Sequence, residues 1–362
     1  MSTILAGQDK LNSLSSRSNS PRTKLALVTF RASPMNVFPE ERIRAILAEA
    51  ALQGLDFEII DALSSSPKLL QSYQWRSGTW QLLPARFPDV TMVIGEALNE
   101  AQRVLLEKFS SVSTVIQDRN LTKLEQLALF QSSPAREFLI PTEQLSSEDL
   151  KDQIRDFTLR HRGAVIKRSD GNRGNGIFFL SPDNEAWRLT IDQSVHLGPL
   201  SECVEFVARK IAGRISYRNF LIQKLVNSST TDGRATDIRV HLQRGCTGDW
   251  NITRSYVRVG AFGQLTANFS KAGTQGALEP ALASRQVLPP EVIKTKLFQA
   301  SKLITNIQDK ASSPPLSELG LDFLLDTQDR IWLVETNALP QSALHEHLRA
   351  QHLVGYARWL VQ

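Results

Sequence analysis

The segment GLDFLLDTQDRIWLVETNALP, residues 320–340, contains two apolar runs on either side of a short polar turn. Runs of this length and composition are typical of strands, and the turn between them predicts an antiparallel hairpin. A turn centred between Gln328 and Asp329 places Asp322 directly opposite Glu335. Asn337 lies two residues beyond Glu335 and therefore on the same face, because strand side chains alternate.

Two carboxylates that face each other across a hairpin repel and weaken the sheet unless a positive charge lies between them. A divalent ion would supply that charge. Oxygen ligands without His or Cys favour Mg²⁺ or Mn²⁺, which keep water ligands and share substrate phosphates. The hairpin therefore predicts a metal site formed by Asp322, Glu335 and Asn337. The alternative is a solvated hairpin whose carboxylates face water.

A second polar segment, KRSDGNRGNGIFFL, begins at Lys167 and ends at residue 180. It connects the strand pattern GAVIK to the strand pattern IFFL, whereas a Walker loop or a dinucleotide loop leads into a helix. Its glycines allow positive φ and bring backbone N–H groups towards one anion, and Lys167 and Arg173 add positive charge. The segment predicts a polyphosphate-binding flap, with a solvated hairpin as the alternative. The glycines of this flap are Gly171, Gly174 and Gly176.

Strand and helix patterns alternate in the first third of the chain. LALVTF, PEERIRAILAEAALQG and DFEIID read as strand, helix and strand, and VTMVIG, a helix through Lys108 and STVIQD continue the series. This order predicts a small open parallel sheet up to about residue 117. Its first turn, RASPMN, lacks the glycine fingerprint of a dinucleotide site. Residues 1–23 are rich in Ser and Asn and read as a disordered tail.

Composition narrows the class of protein. The chain has 362 residues, with 42 Lys and Arg against 37 Asp and Glu, but the basic residues are scattered and nucleic-acid binding is not favoured. Cys203 and Cys246 are too few for a disulfide framework and too far from His pairs for a zinc site. No apolar run has the length of a membrane helix, and the N-terminus lacks a signal-peptide core. We expect a cytoplasmic protein without membrane partners.

The order of these motifs resembles the ATP-grasp superfamily. Lys123, Lys167 with its flap, IQKLV, DIR, NFSKAG, GLDFLLD and VETNALP follow one another as in that superfamily. The resemblance covers residues 118–345 and is nearest to the branch of ribosomal-protein glutamate ligases and endospore-coat-associated proteins. It implies an α/β fold, with α+β character in the grasp domains: a small open parallel sheet followed by a two-subdomain ATP-grasp fold. The implied boundaries are 1–23 for the tail, 24–117 for the N-terminal domain, 118–226 for the small subdomain and 227–362 for the large subdomain.

The resemblance also implies roles for single residues, with ATP and Mg²⁺ as cofactors and Mn²⁺ as an alternative ion. Arg258 and Asn268 match positions near the transferred phosphoryl group, and Arg239 lies towards the acceptor. Asp322, Glu335 and Asn337 match the metal ligands. The positions that match the nucleotide site are Lys123, Lys167, Gly171, Gly174, Gly176 and the hinge residues Gln223, Lys224, Leu225 and Val226.

The implied activity is ATP-dependent formation of an amide or peptide bond between a carboxylate and an amine, through an acyl phosphate. The substrates would be small molecules, peptides or protein tails, and the superfamily also suggests a homo-oligomer. No catalytic base is evident, since His196, His241, His345 and His347 lie in no motif that requires one. Two other classes stay open: a phosphotransferase, and a nucleotide-binding coat or assembly protein without turnover.

Overall fold

The computed structural model describes residues 22–362 except 31–32, 172–175, 193, 231, 264, 266, 268–272, 286 and 342–343. The strands of the described residues are β1 (Lys24–Thr29), β2 (Asp56–Asp61), β3 (Leu70–Arg76), β4 (Thr79–Ala85), β5 (Val90–Ile94), β6 (Thr114–Ile116), β7 (Thr142–Leu145), β8 (Ala164–Arg168), β9 (Phe178–Asp183), β10 (Ala186–Ile191), β11 (Ser194–Gly198), β12 (Phe220–Lys224), β13 (Thr236–Arg244), β14 (Trp250–Val259), β15 (Thr274–Ala277), β16 (Glu318–Leu325) and β17 (Ile331–Asn337). The helices are α1 (Pro34–Val37), α2 (Glu40–Gln53), α3 (Glu100–Val112), α4 (Lys123–Gln131), α5 (Leu150–His161), α6 (Leu200–Ala212), α7 (Leu278–Ala283), α8 (Pro290–Lys310) and α9 (Glu346–Trp359), with a 3-10 helix at Pro134–Phe138.

The chain forms two compact units, and the first contains the residues up to Ile116 together with residues 353–362. Its sheet has the order β4-β3-β2-β1-β5-β6. The strands β2, β1, β5 and β6 are parallel, as predicted. The hairpin β3–β4 joins them antiparallel and was not predicted, so the sheet is mixed rather than purely parallel. Gln and Arg interrupt the apolar pattern of this hairpin, which leaves a weak strand signal.

The second unit, residues 117–352, contains two antiparallel sheets. The first has the order β11-β10-β9-β8-β12-β7, and the second has the order β15-β14-β13-β16-β17. The first sheet shares a core with α5 and α6, in which Phe157 and Val207 are buried. The strand pairs β8–β9 and β16–β17 are the two predicted hairpins that flank the polar segments. The predicted α/β class with ATP-grasp-like sheets is thus confirmed.

The second sheet separates an apolar face from a polar one. Ile238 and Val240 of β13, together with Leu321 of β16, are buried in a core with Leu297 and Ile304 of α8. Alternation along the strands turns the neighbouring residues of β13 and β16 to the opposite face. That face carries the predicted residues Arg239 and Asp322.

The hairpin β16–β17 pairs Asp322 with Glu335, as predicted, but its turn is centred at a different position. Nearer the turn, Phe323 pairs with Leu333 and Leu325 with Ile331, so the turn is centred on Gln328. The register shifts beside Asp322, which makes the residue between Leu333 and Glu335 the extra residue of a β-bulge. The bulge restores the predicted pairing of the two carboxylates.

Candidate functional site

A cavity lies between the two sheets of the second unit. β8, β9 and β12 form one wall, β13, β14, β16 and β17 form the other, and the N-terminus of α4 contributes Lys123. The apolar lining includes Ile140, Val165, Phe179, Leu324 and Val334, and the charged lining is Lys123, Lys167, Arg168, Lys224, Asp237, Arg258, Asp322 and Glu335. A cleft of this kind, apolar with a few converging charges, is the usual form of a small-ligand site.

Lys167 is a buried cation on this cavity. It lies near the end of β8 with 6% of its surface exposed, and its Nζ donates to Oε1 of Gln223 at 2.9 Å. Burial and, to a lesser extent, the positive charge of Lys123 lower the pKa of Lys167 to about 8, although Glu335 acts in the opposite direction. A phosphate placed here would favour the charged ammonium over the neutral amine.

Lys123 connects the flap to the hairpin. It is the first residue of α4, whose start is fixed by a capping box between Thr122 and Glu125. Its Nζ lies 2.8 Å from Oε2 of Glu335 and donates to the carbonyl oxygen of Gly171 at 2.6 Å. One ammonium group therefore holds both a predicted metal ligand and the first glycine of the flap.

Two arginines surround Asp322. Arg239 donates to both carboxylate oxygens, and Arg258 places a terminal nitrogen 3.0 Å from Oδ2. Burial alone would raise the pKa of Asp322, but these two guanidinium groups hold it below its ordinary value. Arg258 also donates to both oxygens of Asp237, at 2.5 and 2.8 Å. Burial raises the pKa of Asp237 to about 6, although Arg258 acts in the opposite direction.

The positive charge that the paired carboxylates require is thus present in the protein itself. Asp322 has the two arginines, and Glu335 has Lys123. Charge repulsion between Asp322 and Glu335 therefore gives no separate argument for a metal ion. The case for a metal rests on the donor atoms themselves.

Those donor atoms do converge. Nδ2 of Asn337 lies 3.3 Å from Oε1 of Glu335 and 3.5 Å from Oδ2 of Asp322. The described residues contain no group of three or more His, Cys, Asp or Glu suited to a metal, so the amide of Asn337 is needed as the third ligand. A rotation of that amide would turn its oxygen inwards. Two carboxylates and an amide oxygen match the ligand chemistry of Mg²⁺.

Most predicted site residues meet at the cavity. Arg239 and Asn337 reach it through Asp322. Gly176 lies at the other end of the flap, with φ of 65°. Asn268 and Gly174, with the flap residue Arg173, fall outside the described residues. The predicted residues that line the cavity directly are Lys123, Lys167, Gly171, Gln223, Lys224, Leu225, Val226, Arg258, Asp322 and Glu335.

One side chain of the predicted hinge, that of Gln223, forms a hydrogen bond with Lys167. The backbone N–H of Lys224 donates to the carbonyl of Pro141, and that of Leu225 donates to the carbonyl of Gly163. Gln223 is 9% exposed, and its side-chain amide binds Lys167. The resemblance assigns Gln223 to the hinge but gives no partner for its side chain.

Sequence reasoning missed two other residues at the site. Asp237, the acidic residue of the DIR motif, orients Arg258. Gly320 lies beneath Arg239, since a Cβ at this position would be 2.9 Å from Nη1 of Arg239 and 2.7 Å from Cβ of Pro340. The acid and the glycine stood in quoted motifs, but a single sequence gives no strand pairing from which to assign their partners.

The polar face continues beyond Arg239 into a buried histidine pair. Nε2 of His241 lies 2.7 Å from Oε1 of Glu318, and Nδ1 of His241 lies 2.9 Å from Nε2 of His345. Arg349 donates to the same carboxylate at 2.6 Å. These histidines have structural partners, in agreement with the absence of any base motif around them.

The fold and the charged cavity define the ATP-grasp class of proteins. The chain belongs to the YheC/D-like ATP-grasp family, whose model matches residues 113–360. It is 25% identical over 229 residues to the endospore coat-associated protein YheD of Bacillus subtilis (strain 168), an alignment that covers 62% of this chain and 49% of YheD. The chain spans about half the length of the curated relatives it matches.

Solved structures share the fold at low identity. D-alanyl-alanine synthetase A from Vibrio cholerae O1 biovar eltor has a TM-score of 0.56 and 11% identity, with 95% of this chain and 97% of that chain covered. The ATP-grasp ligase PsnB, in complex with a minimal precursor, Mg and ADP, has a TM-score of 0.54 and 15% identity, with 95% and 100% covered. Within the described residues, no helix is both long and apolar enough to cross a membrane.

Proposed function

We propose that the protein is an ATP-dependent carboxylate–amine ligase that forms an amide or peptide bond through an acyl phosphate and releases ADP and phosphate. One observation carries the proposal: the buried Lys167, together with Lys123, Asp322, Glu335 and Arg258, lines a single cavity of an ATP-grasp fold. Arg239 reaches this cavity through Asp322. In this proposal residues 118–226 and 227–362 are the two grasp subdomains. The likeness to D-alanyl-alanine synthetase A and to the ATP-grasp ligase PsnB supports it.

The reaction needs an activated carboxylate. An amine cannot displace oxide from a carboxylate, so the γ-phosphoryl group of ATP first passes to a carboxylate oxygen, and the amine then displaces phosphate from the acyl carbon. In the proposal, Lys123 and Lys167 bind the phosphates, and the flap from Gly171 to Gly176 covers them and excludes water. The backbone of the hinge, from Gln223 to Val226, would bind the adenine edge.

The residues proposed for the metal ion and for the acceptor lie on one wall of the cavity, the one formed by the second sheet. Asp322, Glu335 and Asn337 would hold Mg²⁺, which when bound neutralises phosphate charge. Arg258 would lie near the transferred phosphoryl group, with Asn268 assigned there by motif alone, and Arg239 would lie towards the acceptor. Asp237 keeps the guanidinium of Arg258 in place. We place the reaction in the cytoplasm, where ATP is supplied, with free carboxylate and amine substrates or a peptide as partners.

The decisive experiment compares products. Purified protein is incubated with Mg·ATP and with pools of carboxylates and amines, singly and together, and new masses are identified alongside ADP and phosphate. A ligase releases both only when a carboxylate and an amine are present. A stable phosphorylated product instead identifies a phosphotransferase.

A second candidate is a coat-associated nucleotide-binding protein, which the name of YheD favours. It would bind Mg·ATP without turnover under any pair of substrates. Both lysines and all three oxygen ligands would serve Mg·ATP binding in either candidate, so turnover alone distinguishes the two. Binding without product in the experiment above would decide for it.

A further inference from the structure

The side chain of Gln223 is placed to control Lys167. Gln223 lies on β12 and Lys167 on the adjacent strand β8, and both side chains are almost fully buried at the cavity wall. Oε1 of Gln223 accepts from Nζ of Lys167 at 2.9 Å. Nε2 of the same amide donates to Oγ1 of Thr142 on β7 at 2.9 Å. The three residues form a row of hydrogen bonds across three neighbouring strands.

The row fixes which end of the amide faces the lysine. The hydroxyl of Thr142 donates its single proton to the carbonyl of Ile140, at 2.7 Å. Oγ1 of Thr142 can then offer only a lone pair to Gln223. The amide nitrogen must therefore point to Thr142 and the amide oxygen to Lys167, which determines an orientation that atom positions alone leave ambiguous.

The charge of Lys167 stays uncompensated in this arrangement. Within the described residues, Lys167 makes no ion pair, and its hydrogen-bond acceptor is a neutral amide. The charged groups that act on it are Lys123 at the start of α4 and Glu335 on β17, and Glu335 is itself paired with Lys123. A glutamate in place of Gln223 could make the same hydrogen bond but would cancel the positive charge.

We propose that Gln223 is a positioning residue for Lys167, which holds the ammonium group at the cavity wall through a neutral amide and so leaves its full charge for an anionic ligand. The ligand class is the polyphosphate of a nucleotide, and this part of the inference rests on the proposed function. The amide has this role in addition to any contact that the backbone of the hinge makes.

The first test needs no nucleotide. Protein with ¹³Cε-labelled lysine is titrated by NMR, and the signal of Lys167 is assigned from its absence in Lys167→Arg. In the wild type we expect a midpoint of about 8. In Gln223→Glu the carboxylate should move it to about 10 or above, near the ordinary lysine value. In Gln223→Met, which removes the acceptor but not the volume, it should fall below the wild-type midpoint.

The control is Gln144→Glu, which adds the same charge to β7 of the same sheet, at an exposed position that contacts Asn219. Its lysine midpoint should equal that of the wild type. An unchanged midpoint in both Gln223 variants would overturn the inference. Thermal unfolding of each variant is recorded first, and if Gln223→Glu does not fold, Gln223→Met decides.

The second test measures Mg·ADP binding by calorimetry at pH 7. We expect Gln223→Glu to weaken binding about tenfold or more, whereas Gln144→Glu leaves it unchanged. Unaltered affinity in a Gln223→Glu protein whose lysine midpoint has risen would overturn the role assigned to the uncancelled charge. If the wild type binds no nucleotide, the proposed function fails, but the titration still tests whether Gln223 governs Lys167.

Discussion

At the scale of single residues, the charges at the cavity fall into two groups, apart from those of Arg168 and Lys224. Lys123 and Lys167 share one carboxylate, Glu335, so this group keeps one uncompensated positive charge. Arg239 and Arg258 share Asp322 and Asp237, so the second group is formally neutral. A polyanion is therefore attracted to the lysine end, while an acceptor at the arginine end must compete with Asp322 and Asp237 for guanidinium donors.

Glu335→Gln tests the metal ligands. The change keeps shape but removes one anionic ligand, and Lys123 retains its bond to Gly171. We expect the fold to persist and Mg-dependent turnover to fall by about 100-fold or more, because even changes beyond the ligands themselves cost about 10–100-fold. Turnover is measured as ADP release, with circular dichroism as the check on folding. Glu143→Gln, at an exposed pair with Arg160, is the control; equal rates in the two variants would contradict the assignment.

Asp118 gives the protein a pH-dependent stability. Both oxygens accept from Ser317, through its backbone N–H and its hydroxyl, yet burial raises the pKa of Asp118 to about 7. The native state thus binds a proton more tightly than the unfolded chain, and stability is lost as pH rises from about 4 to 7.

Asp118→Asn should remove this dependence, because its amide can accept from the backbone and donate to the hydroxyl oxygen. We expect the variant to match the wild type near pH 4 and to exceed it at pH 8 by roughly 1–3 kcal/mol. Chemical unfolding at several pH values measures the difference. A constant difference across that range would show that Asp118 does not titrate there.

At the scale of elements, the polar face of the second sheet depends on close packing between strands. Gly320 on β16 is paired with His241 of β13, and the guanidinium of Arg239 lies over it. The absence of a side chain creates the space in which Arg239 reaches Asp322. One glycine in the hairpin thus determines the geometry of the ion pair.

Gly320→Ala should displace Arg239 or Pro340 and destabilise the fold by about 1–3 kcal/mol. Gly213→Ala is a matched control, since a Cβ there meets nothing within 4 Å and φ is −72°. Denaturant unfolding compares the two variants. Equal stability of Gly320→Ala and the control would contradict this prediction, because it would show that Arg239 and Pro340 move aside without a cost in free energy.

The elements that sequence predicted best are those with strong local patterns. The hairpin β16–β17 and the parallel strands of the first unit have long apolar runs, whereas β3 and β4 do not. The pairing of Asp322 with Glu335 depends on a local turn together with the bulge in β17, and both lie within one hairpin. The partners of Asp237, Thr142 and the Gln223 side chain come from strands far apart in the chain, and no local pattern specifies which strands will be neighbours.

At the scale of the whole molecule, the cavity is built from two sheets of one compact unit, and a ligand would contact both. A ligand that binds only the native state stabilises it by mass action. Nucleotide binding should therefore be visible as a change in global unfolding, without any knowledge of the other substrates.

Mg²⁺ with a non-hydrolysable ATP analogue, at about 100 times its dissociation constant, should add about 2.7 kcal/mol. For domains of this size that corresponds to a rise in Tm of about 5–10 °C. Differential scanning calorimetry measures it. Lys167→Met should show a much smaller rise at the same analogue concentration, and an equal rise in both proteins would place the nucleotide elsewhere.

The bulge in β17 determines which changes in the length of this strand the site can tolerate. Leu333 and Thr336 face the core, the latter bonded to Gln308 of α8, whereas Val334 and Glu335 both line the cavity. The alternation between core-facing and cavity-facing residues along β17 is therefore interrupted at Val334. Replacement of Val334 by another apolar residue leaves the bulge intact, and deletion of its single codon would restore plain alternation, with Leu333 towards the core and Glu335 and Asn337 still towards the cavity. Among homologous sequences, one residue fewer between Trp332 and Glu335 is therefore compatible with the same pairing of the two carboxylates.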